Sequence, residues 1–203
     1  MGGGGARRAG DRAFSVGRDL KERAGLLQSG RPVPPPPVWP EMDKPLIAAV
    51  QGYALGLGLL EVLRCDFRLA AETARLSLPE VGVGMPGPVE PLVRLIPFGP
   101  ALYMLLTGAQ IDARQALQFG LLLGVVPPEQ LEQAVQGLAE KLCANAPLAV
   151  RATKRNARFA LTHSPEQAAA FAHENNAAVT ASEDFAEGAR AFAEKRRPEW
   201  RGR

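Results

Sequence analysis

The segment Gly52-Tyr-Ala-Leu-Gly56-Leu-Gly58 constrains this chain most, because it joins the buried-strand run Leu46-Ile-Ala-Ala-Val50 to the apolar run Leu59 to Leu63. A glycine-rich turn between a strand and a helix lets the backbone bend tightly, and it leaves the first N–H groups of the helix without intrahelical partners. Negative charge is favoured at such a helix start. The glycine spacing is not that of the dinucleotide fingerprint, and no acidic residue ends a following strand at the usual distance. The residues alone leave two readings: a structural turn, or a cradle for developing negative charge.

The same grammar recurs along the chain. Ala13 to Lys21 reads as a short apolar strand, a turn at Gly17 and a helix start with Asp19 in its first turn. Phe67 to Ala71 reads as strand, Glu72-Thr-Ala as turn and Arg75-Leu-Ser-Leu as strand, with Pro79-Glu80 ending it before a glycine- and proline-rich loop through Pro91. After Pro100 the pattern is helical: Ala101 to Leu106, then Ala113 to Phe119 capped by Asp112, then a long amphipathic stretch from Pro128 to Ala144. Ser164-Pro-Glu-Gln167 carries the signature of a capping box. The expected organisation is a poorly determined segment at 1–12, an α/β core at 13–144 and a helical region at 145–203. That helical region has one face too polar for it to stand alone, so it is expected to pack on its own core and on a neighbouring subunit.

With 203 residues, 46% hydrophobic and 22% charged, the chain can bury a core without disulfides or a structural metal. Cys65 and Cys143 lack CxxC spacing and are expected to be reduced core residues. The longest apolar runs are too short for a membrane span. Lys+Arg 24 against Asp+Glu 21 is a small excess that gives no support to a nucleic-acid partner. The N-terminus has arginines but no apolar signal core, so a cytoplasmic location is expected. The stretch Arg31-Pro-Val-Pro-Pro-Pro-Pro-Val-Trp-Pro should form polyproline II, either as a stiff loop or as a ligand for aromatic grooves of the SH3 or WW type.

The run Lys44-Pro-Leu-Ile-Ala-Ala-Val-Gln-Gly-Tyr-Ala-Leu-Gly, ending in Cys65-Asp66, resembles the crotonase superfamily, the enoyl-CoA hydratases and isomerases. The likeness continues through Leu78-Pro79-Glu80-Val81, Leu106-Thr107-Gly108, Gly120-Leu121, Val125-Val126-Pro127, Ala146-Pro147-Leu148-Ala149 and Ser182-Glu183-Asp184 to Glu194-Lys195-Arg196. Upstream, Ala13-Phe14-Ser15-Val16-Gly17-Arg18-Asp19-Leu20-Lys21 is similar to that family's first oxyanion segment. The resemblance implies an α/β fold of the ClpP/crotonase type, a ββα spiral core with a helical C-terminal trimerisation region. The family's opening strands have no counterpart here, so the core is expected to be incomplete at its N-terminus.

The resemblance also implies an acyl-CoA thioester as substrate, with coenzyme A as part of that substrate and no separate cofactor or metal. Its carbonyl oxygen would lie between the backbone N–H groups of Arg18 and Leu57, with Gly17, Asp19, Gly56 and Gly58 around it. Glu80 matches the family's acid/base carboxylate; the alternative is a carboxylate that caps the next helix. Leu57 is bulkier than the small residue usual at its position. Where the hydratases carry a second glutamate, this chain has Leu60, and the neighbouring Glu61 is rotated by about 100° on the helix. The resemblance therefore implies hydration or double-bond isomerisation of an acyl-CoA thioester, in fatty-acid or other acyl-CoA metabolism. The single glutamate suits an isomerase, which needs no held water, and Leu60 with the missing opening strands leaves a non-catalytic or impaired acyl-CoA binder as the alternative. Glu90 stands in the loop that departs most from the family, and is read as a solvated loop residue or a group near the acyl chain. Lys195 resembles the family's cation for the phosphate end of CoA, with a solvated helix end as the alternative, and His163 and His173 are expected at the surface. A homotrimer or hexamer follows from the same likeness.

Overall fold

The computed structural model describes residues 13–17, 21, 25–26, 28–32, 34–35 and 40–203. The expected N-terminal segment at 1–12 and much of the polyproline stretch lie outside those residues. Two compact units are present, one formed by residues 1–40 and 46–135, the other by 41–45 and 136–203.

The first unit alternates strands between two sheets. β1 (Ala13–Ser15), β3 (Tyr53–Leu55), β5 (Arg75–Ser77) and β6 (Ile111–Asp112) form one sheet in the order β1-β3-β5-β6. β2 (Ile47–Val50), β4 (Phe67–Ala71) and β7 (Gly124–Val126) form the other in the order β2-β4-β7. All pairings are parallel except β5 with β6. Each pass of the chain gives one strand to each sheet and turns a corner between them. Gly52 makes the first corner with φ 65, a backbone region that glycine enters without a Cβ penalty. Its carbonyl accepts the Arg75 N–H at 2.9 Å, locking the first corner to the second.

Helix α1 (Leu57–Arg64) follows β3 and buries Gly58, Leu59, Val62 and Leu63, spaced as one face of a helix. A 3₁₀ helix (Pro79–Val83) follows β5 and ends at Gly84, whose φ is 75. Then come α2 (Val89–Leu95), α3 (Phe98–Thr107) and α4 (Ala113–Gln118). Asp112 caps α4 as expected, and the structure adds that Gln115 completes a capping box. Val50, Ala54, Leu59, Leu76, Leu78, Leu92, Met104 and Ile111 are fully buried, so the core lies between both sheets and these helices.

Helix α5 (Leu131–Cys143) leads to α6 (Pro147–Ala160), α7 (Pro165–Thr180) and α8 (Glu183–Ala193). Ser164 caps α7 in a capping box with Gln167. Between α6 and α7, Phe159 stacks on Phe171 at 4.1 Å, and Asn175 donates to Ala152 O at 3.2 Å and to Asn156 Oδ1 at 2.7 Å. The tail after α8 is held by Asp184, which is 2% exposed and accepts the N–H groups of Arg201 at 2.7 Å and Gly202 at 2.9 Å.

Several expectations change. The turn Gly52 to Gly58 contains the strand β3, and the loop Met85 to Pro91 already begins α2 at Val89. Cys143 is exposed rather than buried, and Cys65 is only half-buried. Cys143 is the last residue of α5 and lies one position past the half-buried Leu142, off the stripe formed by Leu131, Val135, Leu138 and Leu142. His163 and His173 are exposed, as expected, and His163 stacks on Phe159 at 3.6 Å.

Candidate active site

Three segments of the first unit converge at the start of α1. β3 ends at Leu55, and Gly56 then takes φ 52 and ψ −122, a conformation that ends the strand and opens the helix. The Gly56 N–H donates to Ser77 O at 3.0 Å and its carbonyl accepts the Leu60 N–H at 3.1 Å. Leu57 is the first helical residue, so its N–H has no partner within the helix.

The end of β1 presses against this turn. A Cβ at Gly58 would lie 2.1 Å from Ser15 O and 2.6 Å from Ser15 C, so only glycine lets the two backbones meet. Gly17, with φ 77, would place a Cβ 3.0 Å from Leu55 O and 3.1 Å from Leu57 N. A side chain at Gly17 would therefore crowd the Leu57 amide. Arg18 and Asp19, the next two residues, lie outside the described residues.

Glu80 comes to the same turn from the other side. It sits on the 3₁₀ helix directly after Pro79, behind the fully buried Leu78 that anchors the segment. Its Oε1 is 3.2 Å from where a Gly56 Cβ would stand, so a side chain at Gly56 would crowd the carboxylate. Its Oε2 is buried and, among the described residues, is the one buried side-chain oxygen or nitrogen without a hydrogen-bond partner. A structural carboxylate would ordinarily be paired when buried. The buried oxygen without a partner lies beside the turn that opens α1.

The other candidates separate. Leu60 packs against the core cluster, and Glu61 is half-buried with its carbonyl accepting from Cys65 Sγ at 3.5 Å. Glu90 lies in the first turn of α2 and pairs with Arg94 at 2.7 Å, so it is a helix residue rather than the loop residue that the proline-rich sequence suggests. Proline is tolerated at Pro91 because first-turn N–H groups have no helical acceptor. Lys195 belongs to the second unit, where it is exposed and has φ 54 after the end of α8. Nearby, Glu187 binds Arg196 through both oxygens at 2.6 and 3.0 Å. Those bonds, with the Glu199 N–H, draw the Glu187 carboxyl down to about 2, and Glu187 and Glu194 push the Arg196 guanidinium up. Glu183 meets Arg203 at 3.1 Å, so these arginines of the basic tail neutralise local acids.

Sequence reasoning missed Ser77. It is 3% exposed at the end of β5, and its signal is a lone hydroxyl between Leu76 and Leu78.

Comparison with known proteins identifies the family. The sequence profile described as enoyl-CoA hydratase/isomerase matches residues 8–203. The chain is 38% identical over 206 residues to (E)-benzylidenesuccinyl-CoA hydratase of Thauera aromatica, covering 96% of this chain and 79% of that protein. It is 41% identical over 208 residues to 2,3-dehydroadipyl-CoA hydratase of Escherichia coli K12, covering 95% and 78%. The crystal structure of enoyl-CoA hydratase from Bacillus anthracis superposes with a TM-score of 0.86 at 33% identity, over 96% of this chain and 79% of that one. The chain belongs to the enoyl-CoA hydratase/isomerase family, within the crotonase superfamily, whose members act on acyl-CoA thioesters. No helix among the described residues is long and apolar enough to cross a membrane.

Proposed function

We propose that this protein moves a proton at the carbon beside the carbonyl of an enoyl-CoA, with Glu80 as the acid/base. The observation that carries the proposal is the buried, unpartnered Glu80 Oε2 beside the turn that opens α1. In this reading the Leu57 N–H receives the thioester oxygen, with Gly17, Gly56 and Gly58 around it, and the Arg18 N–H and Asp19, outside the described residues, keep the roles that the family resemblance implies. Donors fixed in place need no reorganisation as charge develops, and each is worth about 3 kcal/mol. Glu80 takes the proton from Cα, the C–H electrons move onto the carbonyl oxygen as an enolate, and the proton is returned to Cγ. The product is the conjugated 2-enoyl thioester. Every step is a proton transfer, so no cofactor beyond the CoA of the substrate enters.

Hydration is the second reading, supported by the names of the relatives. It needs a water held for attack at Cβ, for which the hydratases use two carboxylates. Leu60, packed on the core, supplies none, and this favours isomerisation. The exposed Lys195 is assigned to the phosphates of CoA. The second unit, exposing Phe185 and Phe192, is read as the self-association surface of a homotrimer or hexamer, which light scattering would report as a mass three or six times that of the chain.

The test follows conjugated-thioester absorbance. With a 3-enoyl-CoA the absorbance should rise, and Glu80→Gln should slow that rise by a factor on the order of a thousand. With a trans-2-enoyl-CoA, loss of absorbance abolished by the same variant would make hydration the reaction. No change with either substrate would replace the proposal with a binder that does no chemistry.

A further inference from the structure

The residue that sequence reasoning missed bridges the two halves of the site. Ser77 is the last residue of β5, paired with Leu55 of β3 and flanked by Leu76 and Leu78, both fully buried. A hydroxyl in that setting carries a desolvation cost that alanine would avoid, so its retention needs a partner. The partner is Gly108 O, which accepts from Ser77 Oγ at 2.9 Å. The Ser77 carbonyl accepts the Gly56 N–H at 3.0 Å.

The two bonds lead to different parts of one site. Gly56 is the residue before Leu57, so the carbonyl bond fixes the turn that presents the Leu57 amide. Gly108 closes α3 in the left-handed region with φ 63, and its own N–H returns to Met104 O at 3.0 Å. A Cβ on Gly108 would lie 3.3 Å from Pro79 Cα and 3.5 Å from Val81 Cγ2, the residues on either side of Glu80. The Gly108 backbone is thus packed against the short 3₁₀ helix that carries Glu80. The hydroxyl ties that backbone to the same residue whose carbonyl holds the oxyanion turn.

We infer that Ser77 is a positioning residue, setting the distance between the Glu80 carboxylate and the turn that starts α1. The inference rests on the proposed role of Glu80, and it gives Ser77 no contact with substrate. Ser77→Ala keeps the backbone bond to Gly56 and removes only the hydroxyl, so the turn that receives the thioester oxygen stays in place while the support of Glu80 loosens. A displacement of a reacting group by less than 1 Å suffices to slow chemistry by about tenfold.

The test measures kcat, KM and the pH dependence of kcat for wild type, Ser77→Ala, Ser77→Cys and Glu80→Gln on the substrate that the wild type turns over, beside each variant's Tm. Ser77→Ala is expected to lower kcat about tenfold with KM within about twofold, and to move the acid limb of the kcat profile. Ser77→Cys, close in shape and a weak donor, is expected to recover part of the loss. A wild type without turnover, or Glu80→Gln as active as wild type, overturns the proposed role of Glu80 and the inference with it. Full loss in Glu80→Gln with unchanged kcat and pH profile in folded Ser77→Ala, whatever its Tm, overturns the inference alone.

Discussion

Replacing Gly58 by alanine tests the close approach on which the site is built. The added Cβ would stand 2.1 Å from Ser15 O and 2.6 Å from both Ser15 C and Ser15 Cβ. Ordinary contacts between non-bonded carbons are about 3.5–4.0 Å, so β1 and α1 must separate by roughly 1 Å. Ser15 O and C are backbone and Ser15 Cβ is fixed to it, so none of the three can turn aside as the end of a flexible side chain would. Overpacking of this kind costs about 3 kcal/mol, and the better helix propensity of alanine offsets about 1 kcal/mol. The net cost of about 2 kcal/mol corresponds to a Tm lowered by about 4–8 °C for a chain of this length. The same separation draws Gly17 away from the Leu57 amide, so kcat/KM on an enoyl-CoA should fall at least about tenfold in the folded fraction. Gly137→Ala is the control, because a Cβ there meets nothing within 4 Å inside α5, and it should raise stability by about 1 kcal/mol. Thermal unfolding and steady-state kinetics on the three proteins decide the matter. A Gly58→Ala protein with wild-type Tm and wild-type kcat/KM would refute the reasoning.

Three further predictions draw on other residues. Gly17→Ala forces a side chain into the left-handed region and places a methyl 3.1 Å from Leu57 N, so kcat/KM should drop about a hundredfold; an undiminished value would remove Gly17 and Leu57 from the site. Asp184→Ala leaves the N–H groups of Arg201 and Gly202 without their carboxylate, costing about 3 kcal/mol and speeding amide exchange at both residues; unchanged exchange would mean that the tail is held by other bonds. The Glu187 carboxyl is drawn from its ordinary 4.5 down to about 2, chiefly by Arg196, so its contribution to holding the tail is complete above pH 4.5 and is lost as pH falls toward 2. Trp200, whose indole donates to Ala144 O at 2.8 Å, should report that loss by fluorescence, and Glu187→Gln should flatten the response over this range; an identical acid response in both proteins would contradict the assignment.

Much of the architecture can be read from single residues with strong local preferences. Asp112 and Ser164 announce their helices because a hydroxyl or carboxylate at the cap and a glutamine three residues later satisfy otherwise orphaned groups. The apolar runs at Ile47 and Phe67 announce buried parallel strands. The elements that escape are those whose existence is decided at long range. Tyr53–Leu55 is three residues between glycines, and it becomes a strand only because β1 and β5 pair with it on both sides. Gly124–Val126 and Ile111–Asp112 are too short to show a period and are strands by pairing with β4 and β5. At the site, Glu80, Gly56 and Leu57 are legible through their resemblance to a family. That Oε2 of Glu80 would be buried without a partner is not, since it depends on how the 3₁₀ helix, α1 and α3 pack. Ser77 is hidden for the same reason: nothing in the neighbouring sequence points to Gly108, thirty-one positions away.

The central claim is that Glu80 moves a proton at the carbon beside a thioester carbonyl held at the start of α1. Exchange of the α-protons of a saturated acyl-CoA, such as butyryl-CoA, in D₂O measures that step without hydration or a double-bond shift. The account predicts deuterium at Cα with the wild-type protein, and exchange slowed by a factor on the order of a thousand in Glu80→Gln that still binds the thioester. Equal exchange in both proteins, or none in a wild type that binds the thioester, would contradict it.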